Sequence, residues 1–326
     1  MRTLVTGASG FVASHVVRAL IAAGQQEIMA TDLAAPPAPT LAQWVDAGVS
    51  FSTLDVTDTA SVLEIIAKYR PENVIHAAAI TPDNLEEAGF PGQIVSVNTS
   101  GTANVVDALL KIGGLNRLVM FSSSGVYNGL QTYPDPIPED IPLPSPPASL
   151  YAVTKIAVEG MAERAVAAGL MSAVAVRVAN VYGTFERATN SRRAPRLSLI
   201  HKLARATADS LPVRCGDANA GRDWIHGDDV GRAIVMLLDA PRLDHIVYNV
   251  ASGHMARWQD IISMFRSEGL VISNAAEATE IAMRTEDHRP ALNIKRLTQT
   301  TGFKPTVTLQ HGIHELVAHH RNELTA

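Results

Sequence analysis

Cysteine is almost missing from this sequence: Cys215 is the only one in 326 residues. No internal disulfide can form, and such usage fits a reducing cytoplasm. With no second cysteine or histidine cluster beside it, Cys215 reads as a packing residue. Basic blocks are missing too. The 27 basic and 32 acidic residues leave a net charge of −5, so the electrostatic footprint of a nucleic-acid binder is absent. Long apolar runs are lacking as well. The longest, near Met171 to Val181, is broken by Arg177 and is too short to span a bilayer. The opening Met1-Arg2-Thr3-Leu4-Val5-Thr6-Gly7 reads as a buried strand rather than a signal peptide. A soluble, cytoplasmic protein with no membrane contact is expected. No His, Asp or Glu spacing suggests a metal, and no repeat or low-complexity tract is evident.

What is present is a globular composition, 47% apolar and 18% charged, in a chain long enough to bury a large core. The first half alternates short β-rich runs with helical patterns. Strands are expected at Thr3 to Thr6, Ile28 to Thr31, Val49 to Leu54, Val74 to His76, Arg117 to Phe121 and Ser172 to Val178. Helices are expected between them, at Phe11 to Ala23, from an Asp58 cap to Tyr69, at about 93–111 and at Leu150 to Ala168. This repetition predicts an α/β fold with a doubly wound parallel sheet and a smaller mixed α/β C-terminal subdomain. The expected division is 1–179 plus about 225–252 for the domain of the parallel sheet, and about 180–224 plus 253–326 for the smaller subdomain. Tyr133 to Pro147 carries seven prolines and must be a loop. Beyond Val181 the alternation weakens. Helices are expected at Ser191 to Ala208, Val230 to Leu238, Gln259 to Arg266 and Leu309 to His319, with a strand at Val247 to Val250.

Strand, glycine turn and helix meet at Leu4-Val5-Thr6-Gly7-Ala8-Ser9-Gly10-Phe11-Val12-Ala13. Gly7 suits a tight turn, Gly10 permits close approach of a pyrophosphate, and Ala13 stands where a third small residue lets helix and strand pack. Asp32, at the end of the second strand, can accept hydrogen bonds from both ribose hydroxyls of an adenosine and would repel a 2′-phosphate. NAD is therefore preferred over NADP. Asp55 and Val56, after the third strand, are placed to flank the adenine.

Tyr151 and Lys155 stand four apart and share one face of a helix. An ammonium beside a phenol favours phenolate and lowers its pKa from about 10 toward working pH. The pair follows a strand ending in Phe121-Ser122-Ser123-Ser124-Gly125-Val126-Tyr127. A hydroxyl there can hydrogen-bond a substrate oxygen beside the tyrosine.

In these motifs the chain resembles the extended short-chain dehydrogenase/reductases, specifically the NAD-dependent epimerase/dehydratase group. The resemblance also rests on Val74 to Ala79, on Asn98 in Val97-Asn98-Thr99-Ser100-Gly101-Thr102, on Arg177 to Gly183 and on Gly221 to Asp229. It implies a catalytic set of Ser123, Tyr151 and Lys155, with Ser123 chosen because it lies four residues before Tyr127. It implies cofactor contacts from Gly7, Gly10, Phe11, Val12, Asp32, Leu33, Asp55, Val56, Ala77, Ala78, Ala79, Asn98, Ser122 and Val178, besides Tyr151 and Lys155. On the substrate side it implies Thr81, Ser123, Ser124, Asn180, Arg222 and Arg289, the last three toward a diphosphate. Ser124-Gly125 offers no carboxylate where dehydratases carry an acidic pair, which disfavours dehydration. Ala13 replaces the third glycine, and Asn128 stands where a glycine is usual.

The implied chemistry removes a hydroxyl proton through Tyr151 while hydride passes to the nicotinamide. A nucleotide-sugar epimerase is the leading expectation. An NAD-dependent dehydrogenase of a free sugar, sugar acid or other small secondary alcohol is the alternative, and a non-catalytic NAD-binding protein ranks third. The resemblance also implies a homodimer paired through the helices at about 93–111 and 150–168. Arg192, Arg193 and Arg196 form a basic cluster on the expected helix from Ser191, and His226 and His254 read as satisfied by local hydrogen bonds.

Overall fold

The computed structural model describes residues 1–82, 84–187, 197–216 and 219–325. The first half is a run of strand–helix units: β1 (Thr3–Thr6), α1 (Phe11–Ala22), β2 (Ile28–Asp32), α2 (Ala38–Asp46), β3 (Ser50–Thr53), α3 (Thr59–Tyr69) and β4 (Asn73–His76). After β4, α4 (Asn84–Gly89) and α5 (Pro91–Val95) pass through one π-helical turn, Ser96–Ser100, into α6 (Gly101–Ile112). Then come β5 (Arg117–Phe121), α7 (Leu150–Ala167), β6 (Ala173–Val178), β7 (Asn180–Tyr182), α8 (Leu199–Ala208), β8 (Val213–Arg214) and β9 (Gly221–His226). The chain finishes with α9 (Gly227–Asp239), β10 (Val247–Val250), β11 (Met255–Arg257), α10 (Trp258–Ser267), β12 (Thr279–Glu280), α11 (Lys295–Thr301) and α12 (Leu309–Thr325).

Seven strands form one parallel sheet in the order β3-β2-β1-β4-β5-β6-β10. A parallel sheet covered on both faces needs apolar residues on both, and every residue of β1 is buried. Val5 joins the layer with Val16 and Leu20 of α1 and Ile234 of α9. Its neighbour Leu4 points the other way, into a layer with Val62, Val105 and Val158 of α3, α6 and α7. Helices α1 and α9 touch through Gly231, where a Cβ would stand 2.6 Å from the His15 carbonyl oxygen. Strand order reverses between β1 and β4, and ligands of such sheets bind in the crevice at that point.

The C-terminal part adds a three-stranded sheet in which β7 runs parallel and β11 antiparallel to β9, and a short β8–β12 pair. A second core gathers Tyr182, Leu203, Trp258, Phe265 and Leu316. Cys215 is buried in this core and serves packing.

The structure departs from the sequence reading in several places, and α2, α4, α11, β7, β8, β11 and β12 are elements it did not anticipate. The helix expected from Ser191 starts at Leu199, where the Ser198 side chain caps it by accepting from the His201 N–H; Arg192, Arg193 and Arg196 lie outside the described residues. The helix expected over 93–111 is divided by the π turn. The strand β9 runs through Gly221 to His226, where no periodicity marked one. The proline-rich loop is a loop, yet it is pinned: Ile137 N donates to Ala291 O at 2.8 Å, and buried Glu139 accepts from Asn249 N at 2.9 Å.

Candidate active site

A cleft of about 530 Å³ opens at the switch point, within the range of small-molecule sites. The turn after β1 forms its floor. Gly7 adopts φ +68°, and a Cβ there would lie 2.5 Å from Ala78 N and 2.6 Å from Ala78 Cα, so no other residue fits. The turn delivers the chain into α1, whose first turn carries no acidic residue and whose Gly10 cap contributes no side-chain bond. The N–H groups and positive end of α1 therefore face the cleft unopposed by a carboxylate of their own helix. That arrangement suits a pyrophosphate.

Of the residues expected around a cofactor, Gly7, Gly10, Phe11, Val12, Leu33, Ala77, Ala79, Ser122, Tyr151, Lys155 and Val178 line the cleft, as do Thr81 and Ser123 from the substrate set. Asp32, Asp55, Val56, Ala78 and Asn98 are not among the residues that line the cleft. Asp32 accepts from Ser9 N at 3.0 Å and Leu33 N at 2.7 Å; burial pushes its carboxyl above the usual range. The Asp55 carboxylate is turned to its own loop, accepting from Thr57 N and Oγ1, and Val56 packs against Gly101. Asn98 sits in the π turn, a distortion common at functional sites. Its buried amide brackets Ile80, accepting from the N–H at 2.7 Å and donating to the carbonyl at 2.9 Å, and reaches Thr154 Oγ1 at 3.2 Å. It thus ties the cleft wall after β4 to α7.

Ser123, Tyr151 and Lys155 converge at one end of the cleft. Ser123 Oγ accepts from Gly125 N at 3.0 Å. A Cβ on Gly125 would stand 3.2 Å from that oxygen and 3.6 Å from the Tyr151 ring, so the glycine keeps open the space between them. Lys155 Nζ donates to the Phe121 carbonyl at 2.8 Å and lies 5.5 Å from the centre of the Tyr151 ring. Burial lowers the lysine pKa to about 8, and Glu159 partly restores it. Ser122 differs from its neighbour: its hydroxyl turns inward and donates to Glu159 Oε1 at 2.5 Å.

Three further residues carry weight here without having been marked by spacing. Glu159, one turn beyond Lys155 on α7, is buried and paired with Arg177. Glu87 accepts from Leu150 N at 3.0 Å and Tyr151 N at 2.9 Å, capping the helix that bears the tyrosine. Arg187 lines the cleft and donates to Ser9 O at 2.9 Å. The first could have been suspected from its i+4 spacing to Lys155; the other two depend on contacts distant in the chain.

On the far side, Ser124, Asn180 and Arg289 line a second cavity of about 10 Å³, room for little more than one water. Arg222 donates to the Asp287 carbonyl at 2.7 Å, to its carboxylate at 2.8 Å and to Asn180 Oδ1 at 3.3 Å. Burial and the neighbouring Arg222 push the Arg289 pKa down to about 10. The buried His226 ring accepts from Asp228 N at 3.3 Å. His254 is exposed instead, and its backbone N–H donates to Ser252 Oγ. Among the described residues no cluster of His, Cys, Asp and Glu is placed to hold a metal ion, and no helix is long and apolar enough to cross a membrane.

A doubly wound sheet, a glycine turn at its switch point and a Ser–Tyr–Lys group at the cleft's end define a dinucleotide-binding α/β enzyme of the extended short-chain dehydrogenase type. The chain belongs to the NAD-dependent epimerase/dehydratase family, whose model matches residues 3–251. It is 28% identical over 335 residues to a UDP-glucose 4-epimerase of Mycolicibacterium smegmatis, covering 99% of both chains. It is also 28% identical over 328 residues to a GDP-6-deoxy-D-mannose reductase of Pseudomonas aeruginosa, covering 97% of this chain and 96% of the relative. Among solved structures, the Thermus thermophilus UDP-glucose 4-epimerase in complex with NAD superimposes with a TM-score of 0.75 at 26% identity, covering 98% of this chain and 99% of that one.

Proposed function

We propose that this enzyme epimerises a nucleotide sugar by transient oxidation of a hydroxyl-bearing carbon, with NAD in the cleft. The observation that carries the reading is the meeting, in one cavity, of the Gly7 turn with Ser123, Tyr151 and Lys155. The residues present fit a dinucleotide: a cradle at Gly7 that a Cβ would fill, the open N-terminus of α1, and the Asp32 carboxylate at the ribose end. NAD, when bound, supplies a reversible hydride acceptor. Tyr151 takes and returns the proton of the reacting hydroxyl, Ser123 Oγ holds the same oxygen, and the Lys155 ammonium favours the phenolate.

The sugar lies against Thr81, Ser123 and Ser124, and its diphosphate is held by Asn180, Arg222 and Arg289. Two guanidiniums that disfavour each other's charge are relieved by an anion between them. Because the cavity at Arg289 is so small, substrate entry must part that segment from Ser124 and Asn180. We further infer that 1–179 with about 225–252 carries the cofactor and about 180–224 with 253–326 the substrate. Two copies pair through α6 and α7, where Leu110 and Val153 are exposed, and the single buried cysteine suits a cytoplasmic enzyme.

The test is a panel of UDP, GDP and dTDP sugars. Epimerisation predicts interconversion of a sugar pair without net change in NADH absorbance. If none of the three classes binds or raises the melting temperature, the reading fails. The equal identity to a reductase favours net oxidation or reduction as the second reading, and a net NADH change with the same panel would select it.

A further inference from the structure

The segment leaving β7 returns to the cofactor turn, and its three successive side chains at 185–187 are each anchored. Phe185 packs edge-on against His15 of α1, ring centres 4.7 Å apart, with the Arg18 guanidinium 4.7 Å from its own ring centre. Glu186 is buried and accepts from Ser198 N at 2.7 Å and Ser198 Oγ at 2.6 Å, which fixes the start of α8. Arg187 follows directly. Its Nη2 donates to the carbonyl of Ser9, inside the glycine turn, from 178 positions further along the chain. The same side chain lines the cleft, and the Asp32 carboxylate acts on its charge. A long side chain held at both its root and its tip loses little further freedom when a ligand arrives.

Two cations line the cleft among the described residues, Lys155 and Arg187. Lys155 is committed at the catalytic end to the Phe121 carbonyl. Arg187 stands at the opposite end, beside the turn where the diphosphate and the adenosine ribose are received. A dinucleotide brings two negative charges to that place, and a guanidinium is the side chain best matched to phosphate oxygens.

We infer that Arg187 is a cofactor-binding residue, a cationic clasp that reaches from the segment after β7 over the adenosine half of the dinucleotide and slows its release. The inference rests on the reading above that the cleft holds NAD, and it deepens that reading. An epimerase must return the hydride to the same sugar, so its cofactor has to outlast the ketone intermediate. A bond between the two walls of the cleft at the cofactor's outer end supplies that retention.

The experiment measures NADH release by fluorescence, chasing with excess NAD, for the wild type, Arg187→Ala, Arg187→Gln and Phe185→Leu, with equilibrium titrations of NADH and NADPH beside it. Arg187→Ala and Arg187→Gln are expected to release NADH about tenfold faster or more, a change worth about 1.4 kcal/mol. Phe185→Leu keeps the guanidinium, loosens its anchor and should give a smaller increase. Melting temperatures of the cofactor-free proteins report whether each variant is folded, and the conservative Arg187→Gln keeps the test open if Arg187→Ala is not. Equal release rates for the wild type and a folded Arg187 variant overturn the clasp. Loss of NADPH binding with NADH unchanged overturns it too, since Arg187 would then read a 2′-phosphate. A wild type that binds neither dinucleotide overturns the cofactor reading itself.

Discussion

Glu159 and Arg177 form a two-bond ion pair buried one helical turn beyond Lys155. Nε donates to Oε1 at 2.8 Å and Nη2 to Oε2 at 2.7 Å, and the two side chains are 5% and 6% exposed. Arg177 spends its remaining Nη1 donors on Tyr127 Oη and the Glu139 carbonyl, both at 2.9 Å. Tyr127 in turn donates to Asn249 Oδ1 at 2.8 Å. This network joins α7, β6, β10, the turn Ser124–Tyr127 that follows β5 and the proline-rich loop. Tyr151, Lys155 and Glu159 follow at successive i+4 positions, so one stripe of α7 carries phenol, ammonium and carboxylate from the cleft inward.

Glu159→Gln leaves a buried guanidinium without its counter-charge, and breaking such a pair costs about 3–5 kcal/mol. The melting temperature should fall accordingly. The same change removes the carboxylate that partly offsets the burial of Lys155, so the lysine pKa drops below about 8. Activity that needs the ammonium should then be lost at lower pH than in the wild type. A pH–rate profile unmoved on its alkaline side would show that Glu159 does not act on Lys155.

Tyr151→Phe removes one oxygen from the cleft and leaves the glycine turn, α1 and Lys155 in place. NAD should still raise the melting temperature. Turnover should fall by about 10²–10⁴, the usual worth of a positioned acid–base group. Activity within a few-fold of the wild type would falsify the assignment of the proton transfer to Tyr151.

The glycine turn and the Tyr151–Lys155 face of α7 were legible because their determinants are local. Gly7 and Gly10 must follow a strand and open a helix, and Tyr151 and Lys155 share a helical face by spacing alone. The layers of the sheet were legible for the same reason, since Leu4 and Val5 follow strand periodicity. Glu87, Arg177 and Arg187 act on groups that lie 63, 18 and 178 positions away. Such pairings leave no period or motif in the chain. The direction of the serines at the end of β5 was not legible either. Ser122 and Ser123 are chemically identical, and only the pleat sends one hydroxyl to Glu159 and leaves the other beside Gly125.

The capping of α7 gives a prediction that bears on rate more than on affinity. The first N–H groups of a helix lack internal partners. Here Glu87 receives those of Leu150 and Tyr151, and Ser149 Oγ receives that of Ala152 at 3.1 Å. Glu87→Ala should cost about 1 kcal/mol of stability and lower kcat several-fold by loosening the turn that carries Tyr151, with the affinity for NAD retained. Glu87→Gln keeps one acceptor oxygen and turns a donor toward the other N–H, so it should fall between. Equal kcat in all three proteins would mean that Ser149 and water hold the turn unaided.

Acid sensitivity follows from histidines buried in their neutral form. Burial lowers the pKa of His15 and His201 to about 4 and that of His76 to about 3, from the ordinary imidazole value of 6.5. His76 is held on both sides, with Nδ1 2.7 Å from Thr6 Oγ1 and Nε2 3.0 Å from Thr102 Oγ1. Between about pH 6.5 and 4 the unfolded chain binds protons that the fold refuses. Stability therefore falls as pH falls through that window, by up to about 1.4 kcal/mol per pH unit for each histidine. Above about pH 6.5 these groups contribute no slope. Melting temperatures should be level with respect to these residues near neutrality and decline steadily below it. His76→Gln retains a hydrogen-bonding amide with no proton to gain, so its decline should be shallower than that of the wild type. A melting temperature that stays constant from pH 6.5 to 4 would show that these imidazoles take up protons within the fold.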